Sequence, residues 1–123
     1  MNKILVTGSD GFIGNNLIPK LQRKKYFIIE KCLDDGDISE QSTWDAFPPA
    51  DLVIHLAART FVPDSWLESY EYIRCNFLGT IAALEYCHKH DAKLVFLSSY
   101  LYGNPSELPI KETADLQPTN PYA

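Results

Sequence analysis

The chain has 123 residues, 46% of them hydrophobic and 22% charged, with a formal net charge of −5, which suits one globular core and no more. An acidic balance without a basic run argues against nucleic acid and anionic membrane as partners. No apolar run approaches membrane-spanning length, and the few apolar residues after Met1-Asn2-Lys3 make no signal peptide. The expectation is a soluble, cytoplasmic, single domain over residues 1–123. Cys32, Cys75 and Cys87 are odd in number and lack a C-x-x-C pair, against a disulfide framework or a zinc site. Cys75 and Cys87 fall twelve residues apart on one predicted helix, about 18 Å along its axis and outside bridging range. All three are read as packed thiols, and no metal is expected.

Ile4-Leu5-Val6 is a short apolar run, as expected for a central parallel strand covered on both faces. Val6-Thr7-Gly8-Ser9-Asp10-Gly11-Phe12-Ile13-Gly14 follows, with three glycines at three-residue spacing. It reads as strand, tight turn and helix. The first glycine permits the sharp turn, the second lets backbone approach a pyrophosphate, and the third lets the helix pack on its strand. The free N–H groups of the helix's first turn then face the phosphates. Ile13, Leu17 and Leu21 give that helix a buried face. Pro19 within it should kink or fray the helix, at a cost of about 3 kcal/mol.

A second strand spans 26–29 and runs into Glu30-Lys31-Cys32. Asp34-Asp35-Gly36-Asp37-Ile38-Ser39 leaves no room for a helix before a short third strand. A short helix at 42–47 stops at Pro48-Pro49, and Asp51-Leu52-Val53-Ile54-His55-Leu56-Ala57-Ala58 is the clearest strand in the chain. His55 within it is read as a core histidine. Ser65-Trp66-Leu67-Glu68 has the form of a capping box. From there Trp66, Tyr70, Ile73, Phe77, Ile81 and Leu84 make one apolar stripe at three- and four-residue spacing, predicting a long helix that runs to about Lys89. His88, Lys89 and His90 suit the negative end of the helix dipole, so Cys87 to His90 reads as a solvated helix end rather than a metal cluster. Lys93 to Ser98 is the fifth strand, and the proline-rich 104–123 is a loop.

The glycine turn resembles the T-G-x-x-G-F-I-G signature of the extended short-chain dehydrogenase/reductases, the epimerase/dehydratase family that acts on nucleotide sugars. Later segments match that family's elements in order: Gly36-Asp37-Ile38, the strand ending His55-Leu56-Ala57-Ala58, Asn76-Phe77-Leu78-Gly79-Thr80, Ser98 to Gly103, Leu108 to Glu112, and Pro118 to Tyr122. The resemblance implies an α/β, doubly wound parallel Rossmann-type sheet of five strands in the order 3-2-1-4-5.

It also implies NAD or NADP as cofactor and a nucleotide sugar as substrate. The cofactor would be held at Gly8, Gly11, Phe12, Ile13, Gly14, Cys32, Asp37, Ile38, Leu56, Ala57, Ala58 and Asn76. Among these, Asp37 would meet the adenine, and Asn76 would tie its helix to the sheet. Cys32 stands where an acidic ribose-binding residue is usual. Glu30, Lys31 and Asp34 flank it, and Lys31 suits a 2′-phosphate, so NAD and NADP both remain open. Ser98, with Ser99 as the alternative, and Tyr122 take the catalytic places.

By the same resemblance the chain is the amino-terminal two-fifths or so of such an enzyme, with the lysine of Y-x-x-x-K and the sugar-nucleotide region lying beyond Ala123. The chain is then expected to be a nucleotide-sugar epimerase, dehydratase or reductase left catalytically incomplete, with a non-catalytic dinucleotide-binding or regulatory module and a truncated product without a function of its own as the alternatives. Self-association, as a homodimer or larger, is expected because, by the same resemblance, the outer edge of the fifth strand lacks its neighbour and the helix starting at Trp66 lacks the partner helix that would follow Tyr122.

Overall fold

The structure, a computed structural model, describes residues 3–123. Its sheet has four parallel strands in the order β2-β1-β3-β4, with β1 at Lys3–Thr7, β2 at Phe27–Lys31, β3 at Leu52–His55 and β4 at Lys93–Phe96. Strand alternation sorts the apolar residues into two layers. Ile4, Val6 and Ile54 face helix α1 (Phe12–Arg23), where Ile18 is buried and Leu17 and Leu21 pack partly buried. Leu5 and Val53 face the other way, onto Trp44 of α2 (Gln41–Asp45) and onto Ala82, Ala83, Tyr86 and Cys87 of α5 (Gly79–His90). A sheet buried on both faces needs continuous apolar strands, which is what β1 and β3 supply.

The expected third strand does not form, so the sheet has four strands and not five. Leu33–Asp35 is a 3-10 turn, and the groups that a strand at Asp37-Ile38-Ser39 would pair are already used. The Ser39 N–H and hydroxyl both donate to Asp37 Oδ1, at 2.9 and 2.7 Å, and the Ile38 carbonyl accepts from Trp44 Nε1 at 2.8 Å. The order of the remaining strands is as expected.

Two helix expectations also change. Helix α1 runs through Pro19 to Arg23 without an early end, and Ile13 is half-exposed rather than part of its buried face. The predicted helix 65–89 is instead four pieces: α3 (Val62–Leu67), α4 (Ser69–Tyr72), a π-helical stretch (Ile73–Leu78) and α5. Pro63 in the first turn starts α3 early, and Ser65 is interior to it, fully buried, its hydroxyl donating to the Val62 carbonyl at 2.6 Å. No capping box forms there, since Glu68 lies beyond the end of α3 and pairs with Arg59.

The apolar stripe lies outward. Trp66, Tyr70, Ile73, Phe77, Ile81 and Leu84 are all exposed, and the face against the sheet is made of Ala82, Ala83, Tyr86 and Cys87. Gly79 packs on the segment before α2, where a Cβ would stand 2.9 Å from Ile38 Cδ1. The break at Glu68 and the i→i+5 stretch shift the phase that a continuous 3.6-residue period assumes.

Among the described residues no helix is long and apolar enough to cross a membrane.

Candidate functional site

At the carboxyl end of β1 the chain turns at Gly8, whose φ of +66° suits glycine. A Cβ there would lie 2.8 Å from the Ala57 nitrogen, so the turn rests directly on the segment leaving β3. Gly14 closes the other side: its Cβ would meet the Ser9 and Gly8 carbonyl oxygens at 2.4 and 2.6 Å. Gly11 differs from both. With φ −73° it is unstrained, and a Cβ would meet only the Gly8 oxygen, at 3.2 Å. Gly11 caps α1 without a side chain, and the first turn carries no acidic residue. The amides of Phe12, Ile13 and Gly14 thus head a helix whose positive end is left for an anion.

These residues form one wall of a cleft of about 760 Å³. The opposite walls come from the ends of β2 and β3 and from the π-helical stretch, bringing Cys32, Asp37, Ile38, Leu56, Ala57 and Ala58 to the same space. Every sequence-predicted cofactor residue except Asn76 therefore lines it. Asn76 sits behind, clamping the backbone of Arg59: its Oδ1 accepts from the Arg59 N–H at 2.8 Å and its Nδ2 donates to the Arg59 carbonyl at 2.9 Å. That ties the helix to the chain leaving the sheet.

A second cleft, of about 540 Å³, adjoins the first and shares Ile13, Leu56, Ala57, Ala58 and Thr60 with it. Ser98, Ser99, Tyr122 and Asn76 line it. The proline-rich segment thus folds back to put Tyr122 across from the end of β4, where its ring meets Tyr100 edge-on at 5.8 Å between centroids.

Sequence reasoning did not place Leu33, Arg59, Arg74 or Cys75 at the site, and all four line the larger cleft. Arg74 and Cys75 directly precede Asn76, and that adjacency to a matched motif was the available signal. Arg74 donates to Asp37 Oδ2 at 2.6 Å, to the Ser39 hydroxyl and to Glu71 at 3.0 Å. Burial pushes the Asp37 carboxyl up, and the Ser39 amide and Arg74 more than offset this, so Asp37 lies below the usual carboxylate range. Of the three thiols only Cys87 is buried; Cys32 and Cys75 are half-exposed at the cleft, not fully packed.

His55 is a core residue. Thr7 Oγ1 accepts from the Ala57 N–H at 3.3 Å and is hydrogen-bonded to His55 Nδ1, 2.7 Å away. Burial holds the imidazole neutral, with its pKa lowered to about 4. Its ring lies between those of Trp44 and Phe96.

The chain is 33% identical to a UDP-glucose 4-epimerase of Halalkalibacterium halodurans, over 97% of this chain and 41% of that protein. Its fold matches the crystal structure of a dTDP-4-dehydrorhamnose reductase from Clostridium acetobutylicum, with a TM-score of 0.92 and 25% identity, over 98% of this chain and 44% of that one. It likewise matches a UDP-glucose 4-epimerase from Brucella ovis solved in complex with NAD, with a TM-score of 0.88 and 30% identity, over 99% of this chain and 43% of that one. The chain spans about two-fifths of the length of these relatives, from their amino-terminal part. The NAD dependent epimerase/dehydratase family model matches residues 4–123. On that match, and on a glycine turn and strand end built as described, the chain belongs to the NAD dependent epimerase/dehydratase family.

Proposed function

We propose that this chain is the dinucleotide-binding part of an enzyme that epimerises, dehydrates or reduces a nucleotide-activated sugar with NAD or NADP. The observation that carries the reading is the cradle at Gly11. It is the one glycine of the three whose missing Cβ relieves no severe internal clash, and it stands at a helix start with no capping side chain. Space for an incoming pyrophosphate accounts for it. When bound, the nicotinamide supplies hydride exchange with a sugar carbon. The chain's own residues would orient and protonate: Tyr122 holds the proton at its phenolic oxygen, and Ser98 hydrogen-bonds the reacting oxygen of the sugar. Both line the second cleft, which is continuous with the first past Ala57 and Ala58.

Titration calorimetry of the purified chain with NAD⁺ and NADP⁺ tests the reading, with heat and a raised melting temperature expected for at least one. Gly11→Val should abolish binding while the protein stays folded, because φ at Gly11 is ordinary and its internal contacts are few. No heat and no thermal shift at millimolar ligand, from a folded chain, would overturn the proposal.

A further inference from the structure

Resting on the dinucleotide reading above, we propose that Lys31 makes this site select the 2′-phosphorylated dinucleotide, NADP, over NAD. In a sheet of this kind the end of the second strand meets the adenosine ribose, where a carboxylate accepts from the ribose hydroxyls and a cation accommodates a 2′-phosphate. Lys31 is the last residue of β2 and pairs in register with Thr7, the residue before Gly8. The Ser9 N–H donates to the Lys31 carbonyl at 3.1 Å, joining the strand end to the glycine turn. Lys31 therefore stands beside the pyrophosphate cradle by virtue of its backbone, and its residue lines the cleft.

No carboxylate takes the ribose-binding place. Glu30 follows the strand alternation away from the cleft and accepts from Gln22 Nε2 at 3.4 Å. Asp34 lies in the 3-10 turn and is exposed. Asp35 has both oxygens engaged, Oδ2 by the Cys32 N–H at 2.9 Å and Oδ1 by Lys31 Nζ at 2.8 Å. Asp10 and Asp37, the acidic residues lining the cleft, come from the glycine turn and from the segment held by Arg74. A thiol, Cys32, is left at the position itself. It neither accepts strongly from two hydroxyls nor repels a phosphate.

The ammonium is within reach and loosely held. Lys31 Nζ lies 5.1 Å from the centroid of the Phe47 ring, and Phe47 also lines the cleft. Its pair with Asp35 is partly exposed, the side chains at 22% and 32%, and Lys31 lines the cleft while Asp35 does not, so a phosphate dianion in the cleft competes with a single carboxylate for the ammonium. A phosphate gains a charge-assisted hydrogen bond there, whereas a ribose hydroxyl meets a cation already paired.

Calorimetric affinities of NADP⁺ and NAD⁺ for the full chain and for Lys31→Met and Lys31→Arg decide the matter, with 2′,5′-ADP and ADP isolating the ribose contribution. The unaltered chain should bind NADP⁺ tighter by on the order of tenfold, the scale of one hydrogen bond to a charged group. Lys31→Met should remove that margin and leave NAD⁺ affinity within about twofold, while Lys31→Arg keeps it. Equal or tighter binding of NAD⁺ by the unaltered chain overturns the proposal, as does a Lys31→Met variant that weakens both dinucleotides alike. Binding of neither by a folded chain overturns the dinucleotide reading, and this inference with it.

Discussion

His55 shows how a single residue can look chemical and be structural. Its imidazole packs against Trp44 and Phe96 and is hydrogen-bonded to Thr7, whose oxygen also accepts from the Ala57 amide. The interaction joins the last residue of β1, which lines the first cleft, to the last of β3, which lines the second. Because burial lowers its pKa from 6.5 to about 4, protonation favours the unfolded chain. The stability tied to neutral His55 is present in full above pH 6.5 and is lost as pH falls from there towards 4. The total is on the order of 3 kcal/mol. Urea midpoints taken between pH 7 and pH 4.5 should fall in the unaltered chain and fall much less in His55→Gln. Parallel profiles for the two proteins would show that another group carries the acid sensitivity.

At the scale of the element, the segment from Val62 to His90 shows why position on a helix wheel is unsafe when the helix is interrupted. The π-helical stretch places Arg74 and Cys75 on the cleft and Asn76 on the Arg59 backbone, three consecutive residues all turned to the site side. Asn76 then fixes the path of the chain leaving β3, on which Ala57 and Ala58 depend. Asn76→Ala removes two hydrogen bonds from half-buried groups, and a stability loss of about 2 kcal/mol is expected, together with weaker dinucleotide binding. Denaturant unfolding measures the first and calorimetry the second. A change under about 0.5 kcal/mol, typical of surface substitutions, would mean that the clamp does not hold the loop.

For the whole molecule, the outward stripe has the larger consequence. Trp66, Tyr70, Ile73, Phe77, Ile81 and Leu84 are each exposed, and β4, at the edge of the sheet, exposes Val95 and Phe96. This many exposed large apolar side chains together with an edge strand favour association of copies of the chain. The purified chain should show a sedimentation coefficient that rises with concentration, and Phe77→Lys combined with Ile81→Lys should reduce that rise without lowering the melting temperature. A monodisperse monomer at high concentration would count against the stripe as a contact surface.

Local patterns by themselves determined the glycine turn, the two central strands and the order of the motifs. Each of these is a short-range matter of which backbone angles glycine permits and which runs of residues can be buried on both faces of a sheet. The family resemblance was legible for the same reason, since its motifs are contiguous. Only tertiary structure decided the rest. Whether Asp37-Ile38-Ser39 became a strand depended on Trp44, six residues past Ile38, taking the Ile38 carbonyl. Which side of α5 met the sheet depended on how closely a helix must approach: Ala82 and Ala83 fit that space against Leu5 and Val53, while the bulkier Ile81 and Leu84 stayed exposed. The pairing of Lys31 with Asp35 and of Arg74 with Asp37 depended on side chains brought together by turns and by a thirty-seven-residue separation. Periodicity reports that a residue is apolar and how often it recurs. It carries no information on the partner that competes for a carbonyl or the gap that a helix face must fill, and those are set only when the layers pack.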